Sequence, residues 1–169
     1  AGDNTKKKSL EILKSISKDI DICEIGFPHN TPIADGGQIQ TSAYRALKNG
    51  LKISDVFQIV RDFKKSKNSK PVILMGYYNM IYQYGENNFI KKCKSSGVNG
   101  LIVVDLPWPE NKGFAKKCKS KAISFVQLLS PTTSKERLKN IIKDSHDMIY
   151  YISMLLSLIH ISEPTRRYA

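Results

Sequence analysis

Cysteine is scarce in this chain, and long apolar runs are missing altogether. The three cysteines, Cys23, Cys93 and Cys118, are odd in number, far apart and set inside predicted strands or helices. That excludes a disulfide framework and a Cys/His metal spacing, and points to reduced, buried thiols. No apolar stretch approaches the ~18 residues of a membrane span, and the start Ala1-Gly2-Asp3-Asn4-Thr5 lacks the charged-then-apolar layout of a signal peptide. A cytosolic, cytoplasmic protein is expected. Acid is also in short supply: 15 Asp and Glu stand against 27 Lys and Arg, a net charge of +12. The excess is mostly Lys scattered along segments with helical apolar spacing, which reads as a solvated face. Basic residues are not clustered with aromatics on one element, so nucleic-acid binding is not expected. Low-complexity linkers and short repeats are absent too, and with 41% apolar residues the chain can build one core.

What is present is a regular alternation. Thr5 can cap a helix in which Leu10, Leu13 and Ile16 recur every three residues, and Ile20 to Ile25 reads as a short buried strand. After a loop rich in Pro, Asn, Thr and Gly, Gln38 to Lys48 is predicted helical, with Gly50 placed to end it. A second helix, Ile53 to Lys65, carries Val56, Phe57, Val60 and Phe63 on one face. Pro71 to Met75 is an apolar strand, and a helix from Glu86 to Ser96 closes at Gly97 before the apolar run Leu101 to Val104. A helix after Pro109, a strand from Ile123 to Leu128, a helix opened by the capping-box spelling Thr133-Ser134-Lys135-Glu136 and a strand from Met148 to Ile152 complete the pattern.

Strands that are apolar on both faces and joined by helices require parallel pairing, because only helical crossovers cover both faces. The fold class is therefore α/β. Between a doubly wound sheet and a (β/α)8 TIM barrel, the barrel is preferred, since the informative polar residues lie just after strands, where barrels concentrate their chemistry. A complete barrel needs ~250 residues. This chain opens on a helix and ends soon after its fifth strand, so the expectation is an incomplete barrel. Residues 1-154 would form a partial domain holding strands 2 to 6 with their helices, the first and last two strands being absent.

The densest polar information follows the first strand. Glu24 sits within an apolar run, where an unpaired buried charge is expensive, so it must be paired, be protonated or face a polar cavity. A partly desolvated glutamate has a raised pKa and can both give and take a proton. The alternative is a structural ion pair with a Lys of a neighbouring helix, and spacing does not decide between them. Asp35, beside Gly36 and Gly37 on a loop stiffened by Pro28 and Pro32, is either a binding carboxylate or the N-cap of the helix near Gln38.

Glu24-Ile25-Gly26-Phe27-Pro28, then Pro32-Ile33-Ala34-Asp35-Gly36, then Ile39-Gln40, closely resembles the signature of tryptophan synthase α subunits. The likeness continues in Met75-Gly76-Tyr77-Tyr78-Asn79, in the stretch from Gly97 to Pro107 and in Leu128-Leu129-Ser130-Pro131-Thr132-Thr133, and covers Ala1 to about Met154. What the resemblance implies is a carbon-carbon lyase of tryptophan biosynthesis that splits indole-3-glycerol phosphate into indole and glyceraldehyde 3-phosphate. Glu24 would be the acid/base at indole C3 and the glycerol hydroxyl, and Asp35 would hold the indole ring nitrogen. Tyr77, Ile102 and Tyr150 would line or border an apolar slot for indole, with Met75 a further candidate and core packing the alternative for all four. Asn79 and Asp105 would orient loops at the mouth without catalytic duty.

The same resemblance makes His29 a surface or partner contact. Thr31 stands where the family commonly has aspartate and Gly37 where it has proline, changes that touch the loop's contacts with a partner. That partner is a β subunit carrying pyridoxal phosphate, in an αββα assembly; no cofactor and no metal is expected on this chain. The alternative is a non-catalytic barrel that binds the β subunit. Beyond Met154 the family continues into a loop and two strand-helix units whose amides hold the substrate phosphate, whereas residues 155-169 show none of the required glycines. They are expected to be a non-native tail, and the 169 residues alone are expected to fold poorly and lack lyase activity.

Overall fold

Alternate side chains along each strand go to opposite faces of the sheet, and that alternation places everything else. The computed structural model describes residues 1–152. Its elements run α1 (Lys6–Ile16), β1 (Cys23–Gly26), α2 (Gly37–Lys48), α3 (Ile53–Lys64), β2 (Val72–Gly76), α4 (Tyr78–Tyr84), α5 (Glu86–Ser96), β3 (Gly100–Val103), α6 (Lys112–Ser120), β4 (Ser124–Phe125), β5 (Gln127–Leu129), α7 (Lys135–Asp144) and β6 (Ile149–Tyr151).

All strand pairs are parallel. β1 to β4 form one sheet in chain order, with Glu24 opposite Ile73, Ile73 opposite Gly100 and Gly100 opposite Ser124. β5 pairs with β6. β4 and β5 are two halves of the single strand read from Ile123 to Leu128: the first half bonds β3 and the second β6, with the Val126 N–H between them donating to the Leu101 carbonyl at 2.9 Å. A strand that changes neighbour partway along its length is the stagger a tilted barrel requires. The result is an arc of a (β/α) barrel, with five parallel strands in sequence order.

One face of this arc meets the helices. Ile25, Leu74, Leu101 and Val103 pack there with Phe57, Phe63, Phe89 and Phe114, each 4% exposed or less. The other face carries Ile73, Ile102 and Val126, with Met75, Val104, Leu128, Met148 and Tyr150 against them. The three cysteines are free and buried, and burial pushes the Cys93 and Cys118 thiols up, the latter to about 12. Among the described residues no helix is long and apolar enough to cross a membrane.

Local signals account for most boundaries. The Thr5 hydroxyl accepts the Lys8 N–H at the start of α1, and Gly97, at φ 87°, closes α5 in the left-handed conformation that a side chain would resist. One expectation needs correction, and one element had no expectation. The cap of α7 is Ser134, whose hydroxyl accepts the Arg137 N–H, because Thr133 turns its own hydroxyl to the Ser130 N–H at 3.1 Å. The short α4 has no signal in its own sequence. Its cap arrives from a distant loop, the Asp105 carboxylate accepting the Tyr78 N–H at 2.7 Å. The expected change of character over residues 155-169 lies outside the described residues.

Candidate active site

Glu24 projects from the inner face of β1, two residues before that strand ends. The loop that follows leads to Asp35, just ahead of α2. Both line one cavity of about 310 Å³ at the C-terminal ends of β1 to β3, a size suited to a small organic ligand. Met75, Tyr77, Val104 and Tyr150 wall it together with Phe27, His29 and Ile39. Mixed apolar walls with two converging carboxylates are the usual make-up of a barrel's working end.

The alternatives left open by the sequence resolve at both carboxylates. Among the described residues no cation forms an ion pair with Glu24. Its carboxyl is pushed above the ordinary glutamate range by burial, and further by the negative charge of Asp35. Water still reaches the side chain, which is exposed, because among the described residues β1 has no strand beyond it. Nor does Asp35 cap α2. The N-cap is Gly36, in ordinary extended backbone at φ −70°, without a side-chain hydrogen bond. Asp35 instead accepts the Tyr77 hydroxyl at 3.3 Å on Oδ2. Burial raises the Asp35 pKa, while the Tyr77 hydroxyl and the nearby His29 pull it the other way.

Tyr77 organises the loop. Its hydroxyl accepts the Ala34 N–H at 3.0 Å and donates to Asp35, and its ring is 4% exposed. Burial pushes its own pKa up to about 12. Tyr150, on the inner face of β6, lines the same cavity as Glu24, and its pKa is raised by burial and then by the charge of Glu24. His29 is not a free surface residue: it lines the cavity and stacks on Tyr77.

Ile102 stands apart. At 1% exposure it lies among Ile73 and Val126 and is not among the residues that line the cavity. Val104, two residues along the same inner face, is. Strand alternation held that information, because the cavity opens at the C-terminal ends of the strands and the later of two same-face residues is the one that reaches it. Ile39, in the first turn of α2, gave no such signal.

Fold and cavity together define a (β/α)-barrel site with two partly desolvated carboxylates lining a partly apolar pocket. The chain belongs to the tryptophan synthase alpha chain family, whose sequence profile matches residues 1–156. It is 81% identical over 155 residues to the tryptophan synthase alpha chain of Pelagibacter ubique, an alignment covering 92% of this chain and 58% of that one. The Methanococcus vannielii alpha chain is 42% identical over 153 residues, covering 90% and 59%. The alpha subunit of Pyrococcus furiosus superimposes with a TM-score of 0.85 at 42% identity, over 89% of this chain and 61% of that one, and a tryptophan synthase complex from the same organism gives the same score. The chain thus spans 58 to 59% of the length of these curated relatives.

Proposed function

We propose that the protein to which this chain belongs is a lyase that cleaves indole-3-glycerol phosphate into indole and glyceraldehyde 3-phosphate. The observation that carries the reading is the shared, partly apolar cavity that Glu24 and Asp35, both raised in pKa by burial, line together. Cleavage needs a proton delivered to indole C3, which makes the ring a leaving group, and a proton taken from the glycerol hydroxyl next to the breaking bond. The O–H electron pair then becomes the new carbonyl, and the pair of the broken C–C bond returns to the indole ring. A carboxyl group with a raised pKa serves such steps, because it is protonated often enough to give a proton and basic enough to take one. Glu24 has that character. Asp35, fixed by Tyr77, accepts the indole N–H and offsets the positive charge that forms on the protonated ring. Tyr150 and Met75 flank the ring.

A tryptophan synthase β subunit is the proposed partner, the P. furiosus relative having been characterised as an α2β2 complex with mutual activation. The resemblance puts pyridoxal phosphate on that partner alone. Buried free thiols fit the cytoplasm as the compartment.

The test uses a full-length protein, made by grafting residues 1–152 into the P. ubique relative in place of the segment they match. Glu24→Gln is expected to lower the cleavage rate by ~10²–10⁴-fold while β-subunit binding is kept. Unchanged cleavage would remove Glu24 from the chemistry. Absence of cleavage in the unsubstituted protein, with β binding intact, would favour the non-catalytic barrel.

A further inference from the structure

Tyr77 is gripped at two points by the same loop. At its hydroxyl, the Ala34 N–H donates at 3.0 Å and the Asp35 carboxylate accepts at 3.3 Å. On its ring face, the imidazole of His29 stacks with centroids 5.0 Å apart and planes 28° from parallel. His29 lies near the start of the loop and Asp35 near its end, so the loop closes around one tyrosine as around a peg. The imidazole Nδ1 is buried and has no hydrogen-bond partner among the described residues, so no bond from them through that atom holds the ring in place. The stack is the contact that the geometry provides.

We infer that His29 is a positioning residue for Asp35: its ring clamps Tyr77, and through the Tyr77 hydroxyl fixes the carboxylate at the cavity. The inference rests on the lyase reading for its activity assay and is independent of it for its structural one. It separates ring stacking from proton transfer. A His29 that acts by stacking can be replaced by another flat ring, whereas one that acts by titrating cannot.

In the full-length protein described above, His29→Ala is expected to lower kcat/KM for indole-3-glycerol phosphate by roughly 10- to 100-fold, the scale of a misplaced reacting group. His29→Phe should recover most of that loss. Tyr77→Phe keeps a ring for the stack and removes the hydroxyl, so it should match His29→Ala, and the double variant His29→Ala/Tyr77→Phe should be no worse than either single one. Hydrogen exchange at the Ala34 amide supplies a readout that does not depend on turnover. It should speed up in His29→Ala and stay slow in His29→Phe. A His29→Phe variant as impaired as His29→Ala, additive losses in the double variant, or an Ala34 amide that exchanges equally slowly in all His29 variants would each overturn the inference. Absent cleavage in the unsubstituted protein, with the exchange pattern as expected, would sink the lyase reading and leave the clamp standing.

Discussion

The two faces of the sheet are made from alternate residues of the same strands, yet they differ in kind. Toward the helices the face is mostly apolar and packed, with Gln127, which accepts from Asn111, a buried polar exception: Phe57 meets Phe89 edge-to-face at 5.4 Å, Phe27 meets Phe89 at 6.0 Å, and Phe114 meets Phe125 at 5.9 Å. Each such side chain, fully buried, stabilises the fold by ~1.5–3 kcal/mol. Toward the barrel interior, apolar residues alternate with Glu24, Gly26, Gly100 and Ser124, and the upper end opens into the cavity. The outer face therefore holds the chain together, and the inner face forgoes apolar burial to keep two carboxylates poised. Stability and the proposed chemistry are separable at the resolution of one residue.

Substitution on each face tests that separation. Phe57→Ala empties a site that is 0% exposed and is expected to cost about 3–5 kcal/mol, read as a lower urea midpoint. A loss under ~1 kcal/mol, the size of an average substitution, would show that the outer layer is not where the stability resides. A pair of glycines gives a finer comparison. A Cβ on Gly76 would lie 2.1 Å from the Phe27 ring, a contact that forces the ring to move, so Gly76→Ala should cost about 1–3 kcal/mol. Gly26, on the inner face, has nothing within 4 Å of the same added atom. Gly26→Ala should shift stability by no more than ~0.5 kcal/mol, and equal costs at the two positions would erase the distinction between the faces.

The same contrast explains what could be read from sequence. Apolar runs such as Val72 to Met75 and helical faces such as Val56, Phe57, Val60 and Phe63 announce the outer layer, because burial against helices leaves a periodic trace. Glu24 and Asp35 were legible as anomalies, a carboxylate inside a strand and another beside glycines. Their company was not. The grip of His29 on Tyr77, the Asp105 cap on α4 and the split of the fourth strand, β4 with β5, between two neighbours all join residues distant in the chain, and no local pattern records them. Ile102 shows the limit inside a correctly placed strand: its face was legible, but its depth below the cavity depends on where neighbouring strands end.

The smallest expected effect is also the most diagnostic. Burial raises the Glu24 pKa above its usual 4.5, so across the interval between those two values the folded chain holds a proton that the unfolded chain has released. Stability from this group is therefore complete below the unfolded pKa and is lost as pH rises through the folded one. Asp35, also raised, works in the same direction, and its charge opposes the ionisation of Glu24. Glu24→Gln removes the desolvated charge while keeping the shape. The variant should be slightly more stable than the parent near neutral pH, and the difference should vanish in acid below the ordinary carboxyl range. Urea midpoints measured across that pH span check it. A variant less stable than its parent near neutrality would mean that the Glu24 carboxylate has a stabilising partner when charged, and that the inner face is not built at the expense of the fold.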